Sequence, residues 1–427
     1  MHRSRVLAAF VAIVSLGSFG CTYARDPAPS PPKAPPVTAG FRHPGILVNR
    51  AQLEAVRTKI RAGSEPWAGA FAKMKASSFA ALTWTPKPRA IIECGAYSKP
   101  NLGCSEERDD SVAAYTHALL WTLTGDEAHA RKAVEILNAW PGVLQDHTNF
   151  NAPLQTAWAA SVWPRAAEII RYTYPRWSAA DVARFETMLR SVYLPKVADG
   201  SATTNGNWEL SMIEAMMHIA VFTEDRALFD KAAGMWRRRV PAYFYVKTDG
   251  ATAVPAPGGH DDTPDKVVKR WYGQAQLEDG VCQETCRDLS HTQFGLAAAI
   301  DTAETARQQG LDLYGEQSPR LRAALERHAS YLLGEPAPAW LCNGHFERVE
   351  TLPMWEIAYN HFAGREGLAL PLTERLVKEQ VRRHETGLEP HFILWETLTH
   401  AEVGAVGLDV PAAGAAVSSR SPSPLRP

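Results

Sequence analysis

Residues 280–295 read G-V-C-Q-E-T-C-R-D-L-S-H-T-Q-F-G and gather Gln283, Glu284, Arg287, Asp288, His291 and Gln293 just before an apolar stretch at 296–300. Written as the start of a helix, Glu284, Arg287, Asp288 and His291 fall at i, i+3, i+4 and i+7 and share one face. A solvated helix face is usually a Lys/Glu mixture. This one carries a guanidinium, two carboxylates and an imidazole. Such a set can neutralise a bound carboxylate and move a proton beside it. Arg287 is the candidate grip, His291 the candidate proton carrier, and Glu284 and Asp288 orient them.

Other polar clusters stand at the ends of expected helices. Asn205-Gly206-Asn207-Trp208-Glu209 precedes an apolar run at 212–222; its plain reading is a helix cap, for which Asn is well suited. Gly258-Gly259-His260-Asp261-Asp262 reads as a surface loop, or as a glycine-rich loop presenting a histidine. Asn149-Phe150-Asn151 with Gln155 and Trp158, and Trp355-Glu356 with Tyr359, His361 and Arg365, mix amides and aromatics in the same way. Tryptophan, with 13 copies, is abundant enough to supply sugar-stacking faces as well as core.

The elements that must position these groups are helical. Val112, Tyr115, Leu119, Leu120 and Leu123 suit one buried helix face. The phrase L-T-G-D-E-A-H-A-R-K-A from Leu123 is echoed by F-T-E-D-R-A-L-F-D-K-A from Phe222. Each Thr is placed to cap a second helix, so the echo predicts repeated helical hairpins. Ser178 opens another capped helix running towards Tyr193, and further helices are expected over 292–309, 318–334, 352–363 and 372–384. Residues 242–259, with Tyr243-Phe244-Tyr245-Val246, Thr248-Asp249-Gly250 and P-A-P-G-G, read as a short β-hairpin and loop. Hairpins arranged in a ring, an (α/α) toroid, or stacked as a solenoid both satisfy this pattern.

The ends read differently. A basic start, an apolar stretch at 6–19 and Cys21 predict an export signal over 1–21 of lipoprotein type. Cleavage after Ala24 is the alternative. Residues 22–40 form a proline-rich linker, 41–407 the folded domain, and 408–427 a tail with little to bury. Periplasm or outer membrane is the expected location, with the membrane met only through a lipid anchor. Export makes disulfides possible: Cys94 with Cys104, and Cys282 and Cys286 with each other or one of them with Cys342. Metal ligation by the C-x3-C pair is the sharper alternative, but the chain has no second such pair. A net charge of −1, without Lys/Arg runs, excludes a polyanion track for nucleic acid.

The segments H-P-G-I-L-V-N-R with the helix at 52–61, N-G-N-W-E, Q-E-T-C-R-D-L-S-H-T-Q and W-E-I-A-Y-N-H-F resemble the alginate-lyase-like polysaccharide lyases. The resemblance covers about 43–370. It implies an all-α (α/α) toroid that depolymerises anionic uronic-acid polysaccharide by β-elimination, as a monomer and without metal or cofactor. By that resemblance Asn207 (or Asn205) and Arg287 neutralise the C5 carboxylate, His260 and His291 are candidate bases, and Tyr272 in W-Y-G-Q is the candidate acid. Asn205, Trp208, Asn151, Gln155, Trp158, Glu284, Asp288, Tyr359 and His361 are the candidate substrate contacts. Two positions depart from the family: Trp208 stands where His follows Asn, and Phe294 stands near the usual tyrosine. A toroidal glycoside hydrolase is the rival and needs two facing carboxyl groups, for which Glu284, Asp288, Asp261 and Asp262 are available. A non-catalytic glycan-binding lipoprotein is the other alternative.

Overall fold

In the structure, a computed structural model that describes residues 40–345, 349–384 and 391–402, helices dominate. In chain order they are α1 (Arg50–Arg61), α2 (Trp67–Ala76), α3 (Cys104–Thr124), α4 (Glu127–Ala139), α5 (Ala152–Thr173), α6 (Ala179–Met188) and α7 (Leu194–Val197). After them come α8 (Gly206–Phe222), α9 (Arg226–Arg239), α10 (Pro264–Arg270), α11 (Leu289–Gln308), α12 (Leu313–Leu332), α13 (Trp355–Tyr359) and α14 (Pro371–Leu376).

Burial sorts these helices into two layers. Almost every side chain of α5, α8 and α11 is buried, and so are most of α3. On α4, α6 and α9 only a stripe is buried. A helix buried all round must have neighbours all round, whereas a striped one covers the outside. Accordingly α3, α5, α8 and α11 pack side by side in that order, and α4, α9 and α12 return along α3, α8 and α11. α13 follows α11, and the short helix Glu396–His400 touches α13, α1 and α2, while α1 lies on α3. Gln52 Nε2 donates to the Thr399 carbonyl at 2.8 Å where this last segment meets the first. The result is an (α/α) toroid, not a solenoid.

Local chemistry explains the hairpins. Ser178 caps α6 as expected, accepting from Asp181 N at 3.1 Å, and α6 continues through a wide turn to Tyr193. In the two echoed phrases the caps are the aspartates, not the threonines: Asp126 accepts from Ala128 N and Asp225 from Leu228 N. A carboxylate is favoured there because it also meets the positive end of the helix dipole. The β structure is a three-stranded sheet of β1 (Ile91–Cys94), β2 (Asn101–Leu102) and β3 (Asp146–Thr148) in the order β2-β1-β3. β2 runs antiparallel to β1 and β3 parallel to it.

Residues 243–245 leave the turn after α9 and pair with the segment 280–283, not with the loop just after them. Phe244 bridges Cys282, Tyr245 N donates to Val281 O at 2.9 Å, and Gln283 N donates to Tyr243 O at 2.8 Å. This pairing anchors the run that holds Arg287. The disulfides are Cys94–Cys104 and Cys286–Cys342, and Cys282 is a buried free thiol. Cys282 and Cys286 are therefore neither stapled to each other nor available as a thiolate pair. The export signal, most of the linker and the tail lie outside the described residues.

Candidate active site

A cavity of about 700 Å³ opens where the N-terminal ends of α5, α8 and α11 converge. Asn151, Leu154 and Trp158 line it from α5, Asn205 and Trp208 from α8, and Arg287, His291 and Phe294 from the α11 end. Tyr97 and Ser98 come from the loop closed by Cys94–Cys104, Thr203 and Thr204 from the loop before α8, and His391 from the last described segment.

The placement of Arg287 and His291 begins with a helix start. Helix α11 begins at Leu289, so Glu284 and Arg287 lie in turns before it and do not share a helix face with His291. Asp288 is the N-cap: one oxygen accepts from His291 N at 2.8 Å and the other meets His291 Nδ1 at 2.6 Å. The cap thus also fixes the imidazole and leaves its Nε2 edge for a ligand. Burial alone would raise the Asp288 pKa, but the His291 bonds outweigh it and hold the carboxylate below its usual value. Glu284, fully buried, accepts from Arg287 Nη1 at 2.7 Å, Asn207 Nδ2 at 2.6 Å and Tyr243 Oη at 3.0 Å. Arg287 is therefore a half-exposed cation held from behind by an anion that cannot move.

The start of α8 is capped in trans by the same run. Gly206 N donates to Gln283 Oε1 at 2.7 Å and Asn207 N to Glu284 Oε2 at 3.2 Å. Two orphan helix donors are satisfied, with a carboxylate at the positive helix end. Asn205, although at the N-cap position, makes no cap bond with its side chain. Its Oδ1 accepts from Gln283 Nε2 at 3.0 Å and its Nδ2 donates to Tyr272 Oη at 2.7 Å. Burial pushes the Tyr272 phenol up, with Arg287 pulling the other way, so it keeps its proton at neutral pH.

Two glycines make room for this arrangement. A Cβ on Gly295 would stand 2.3 Å from Tyr243 Oη, and one on Gly206 would stand 2.1 Å from the Tyr243 ring. Tyr243 is thus a wedge between α8 and α11 whose hydroxyl steadies Glu284. Gly295→Ala is expected to cost about 1–3 kcal/mol of stability through overpacking. It should also lower turnover by at least about tenfold, since a small misplacement of a catalytic group is costly; thermal melts and steady-state rates measured on the same preparation check both.

Several expected site residues lie elsewhere. Asn207 is buried with its amide on Glu284, so Asn205 is the amide that faces the cavity. Gln155 is buried and committed to Arg108 and Glu107, both at 2.7 Å. It sets Arg108, whose guanidinium is 5.6 Å from the Trp158 ring. His260 is exposed on a loop tethered by the Asp261–Arg270 ion pair and is not among the lining residues. His361 is stacked on Tyr314 at 3.7 Å, with its pKa lowered to about 3 by burial, and Tyr359 lies beside Glu374. Neither His361 nor Tyr359 lines the cavity. Conversely Tyr97, Phe150 and His391 do line it, and only Phe150 was flagged in sequence, by its flanking asparagines.

Comparison with known proteins decides the family. The family model described as alginate lyase matches residues 101–339, more than half of the chain. The chain belongs to the alginate lyase family. It is accordingly a polysaccharide lyase. Among solved structures it is similar to alginate lyase A1-III from Sphingomonas species A1, with 16% identity, a TM-score of 0.59, and coverage of 86% of this chain and 99% of that one. A histidine-to-alanine form of A1-III complexed with tetrasaccharide matches with 17% identity and a TM-score of 0.57, covering 84% of this chain and 98% of that one. An alginate lyase from Bacteroides ovatus matches with 16% identity and a TM-score of 0.55, covering 84% and 99%. No curated protein matches the chain.

Proposed function

We propose that this alginate lyase family member cleaves alginate or a related polyuronate by β-elimination in the cavity at the heads of α5, α8 and α11. The observation that carries the reading is the pairing of Arg287 with the Asp288-backed His291 on a cavity wall that, among the described residues, is lined by no Asp or Glu. Such a wall welcomes a carboxylate. Among the described residues it also lacks the two facing carboxyl groups that hydrolysis needs. Glu284 is spent on Arg287 and Asn207, Asp288 on His291, Asp261 on Arg270, and Asp262 on Lys266 at 2.6 Å.

The chemistry follows from the hydrogen bonds. The C5 proton of a uronate is weakly acidic while its carboxylate keeps a full negative charge. Arg287 supplies positive charge to that carboxylate, and Asn205, its amide set by Gln283 and Tyr272, supplies an amide donor beside it, stabilising the aci-carboxylate as it forms. His291, with Nδ1–H turned to Asp288, offers Nε2 to take the proton. Exposed Tyr97 and Phe150, with Trp208 packed edge-on to Phe150 at 5.7 Å, supply faces on which further sugar rings stack. The tetrasaccharide held by the A1-III variant supports an oligosaccharide-sized ligand.

We also infer export, on the sequence of residues 1–21, and two disulfides suit an oxidising compartment. Incubation with alginate and with glucuronan tests the activity by following ultraviolet absorbance of the unsaturated 4,5-product. Rising absorbance is expected. New reducing ends without absorbance would mean hydrolysis, and binding without either would mean a glycan-binding protein.

A further inference from the structure

We propose that His391 is a second proton carrier in this cavity, giving its proton to the leaving O4 oxygen while His291 takes the one on C5. The assignment rests on the β-elimination reading above. Elimination moves protons at two atoms, and the structure brings two imidazoles to one cavity. The Phe294 ring neighbours both, 6.1 Å from the His291 ring and 5.5 Å from the His391 ring. That ring is apolar and takes no proton from either. It also carries no hydroxyl of its own, so it cannot do the transfer.

His391 is built in from its other sides. Its ring meets Trp158 edge-on at 4.3 Å, and Trp158 has the Arg108 guanidinium 5.6 Å from its own ring. Burial raises the carboxyl of Asp109, half-buried on α3, overall, and the charge of His391 draws it down slightly. The remaining candidate acid, Tyr272, is tied to Asn205 on the Arg287 side. It does not line the cavity, so it sets Asn205 and does not reach the departing oxygen.

The step balances as follows. His291 Nε2 takes the C5 proton, and the C5–H electron pair becomes the C4=C5 double bond. The C4–O4 bond breaks with its electrons going to oxygen, which takes a proton from His391. The products are an unsaturated uronate end and a new hydroxyl end. A net proton passes from His291 through solvent back to His391 before the next turnover.

The test compares His391→Ala and His391→Gln with the unmodified protein on two substrates, after melting curves confirm folding. One is the polyuronate; the other is a uronide bearing an aryl leaving group at O4, which departs without needing a proton. On the polymer both variants are expected to lose about 10²–10³-fold in kcat, the usual size of a general-acid contribution. On the aryl uronide the loss should shrink to within about tenfold. Adding Phe294→Tyr to His391→Ala should restore part of the polymer rate, because a phenol then stands beside the vacated imidazole position. An equal loss on both substrates, or no loss on either, overturns the role of His391. An unmodified protein that gives no unsaturated product from any polyuronate overturns instead the elimination reading beneath it.

Discussion

Arg287→Ala lowers turnover of a polyuronate by about 10²–10³-fold, the loss seen when one preorganised charge-stabilising group is removed. The expectation depends on what is left behind. Glu284, the partner of Arg287, still accepts from Asn207 N and Nδ2 and from Tyr243 Oη, so its carboxylate is not stranded. Some loss of melting temperature is still expected because the buried carboxylate loses its cation, so rates are compared where both proteins are folded and the loss then reads chemistry. Both kcat and kcat/KM should fall, because the guanidinium meets the carboxylate most strongly as the aci-carboxylate develops. Arg287→Lys should recover only part of the rate, since an ammonium cannot reproduce the planar fork held by Glu284. Retention of full activity in Arg287→Ala, measured by product absorbance, would remove the grip from the mechanism.

How much of this was legible depends on the range over which each residue acts. The polar run at 283–291 was legible because its oddity is local: an Arg, an Asp and a His stand just ahead of an apolar stretch. The shared helix face read from their spacing was not, since α11 starts only at Leu289. The Asp288–His291 pairing also follows from local spacing, since an N-cap reaches the third residue of its own helix. The role of Asn207 did not follow. Its amide is claimed by Glu284, 77 positions away, and nothing in N-G-N-W says which asparagine turns inward. His391 lies beyond any pattern, for its cavity place is set by closure of the ring near Phe392 and Trp395. The Cys286–Cys342 pairing was one open choice among several, and only the fold of the loop before α13 selects it. That the chain at Phe244 pairs was legible but not its partner, because a strand's mate depends on which segment the helices bring alongside.

Arg165→Met is expected to destabilise the toroid by about 3–5 kcal/mol, the penalty for removing one member of a buried ion cluster. Arg165 on α5 sits at the centre of the ring, where its Nη2 donates to Glu214 of α8 at 2.5 Å and to Asp301 of α11 at 3.0 Å. Its Nη1 reaches the Phe392 carbonyl at 2.9 Å. Glu396 completes the group, and all four side chains are buried. Burial raises all three carboxyl groups: Glu214 well above its usual value, Asp301 to about 6 and Glu396 to about 8. A carboxyl raised in the folded state favours folding fully below its unfolded pKa, and that contribution is lost as pH rises through the folded value. For Glu396 the loss therefore runs from the ordinary carboxylate range up to about pH 8. Without Arg165 the three acids have no guanidinium among them, so the variant should lose more stability at alkaline than at mildly acidic pH. Glu396→Gln in the otherwise unmodified chain should do the reverse, flattening the pH dependence and leaving the protein relatively more stable on the alkaline side. Denaturant unfolding of the unmodified chain and both variants at one mildly acidic and one alkaline pH checks the signs together. Parallel pH profiles in all three would mean that the cluster does not titrate as a unit and that its charges are balanced elsewhere.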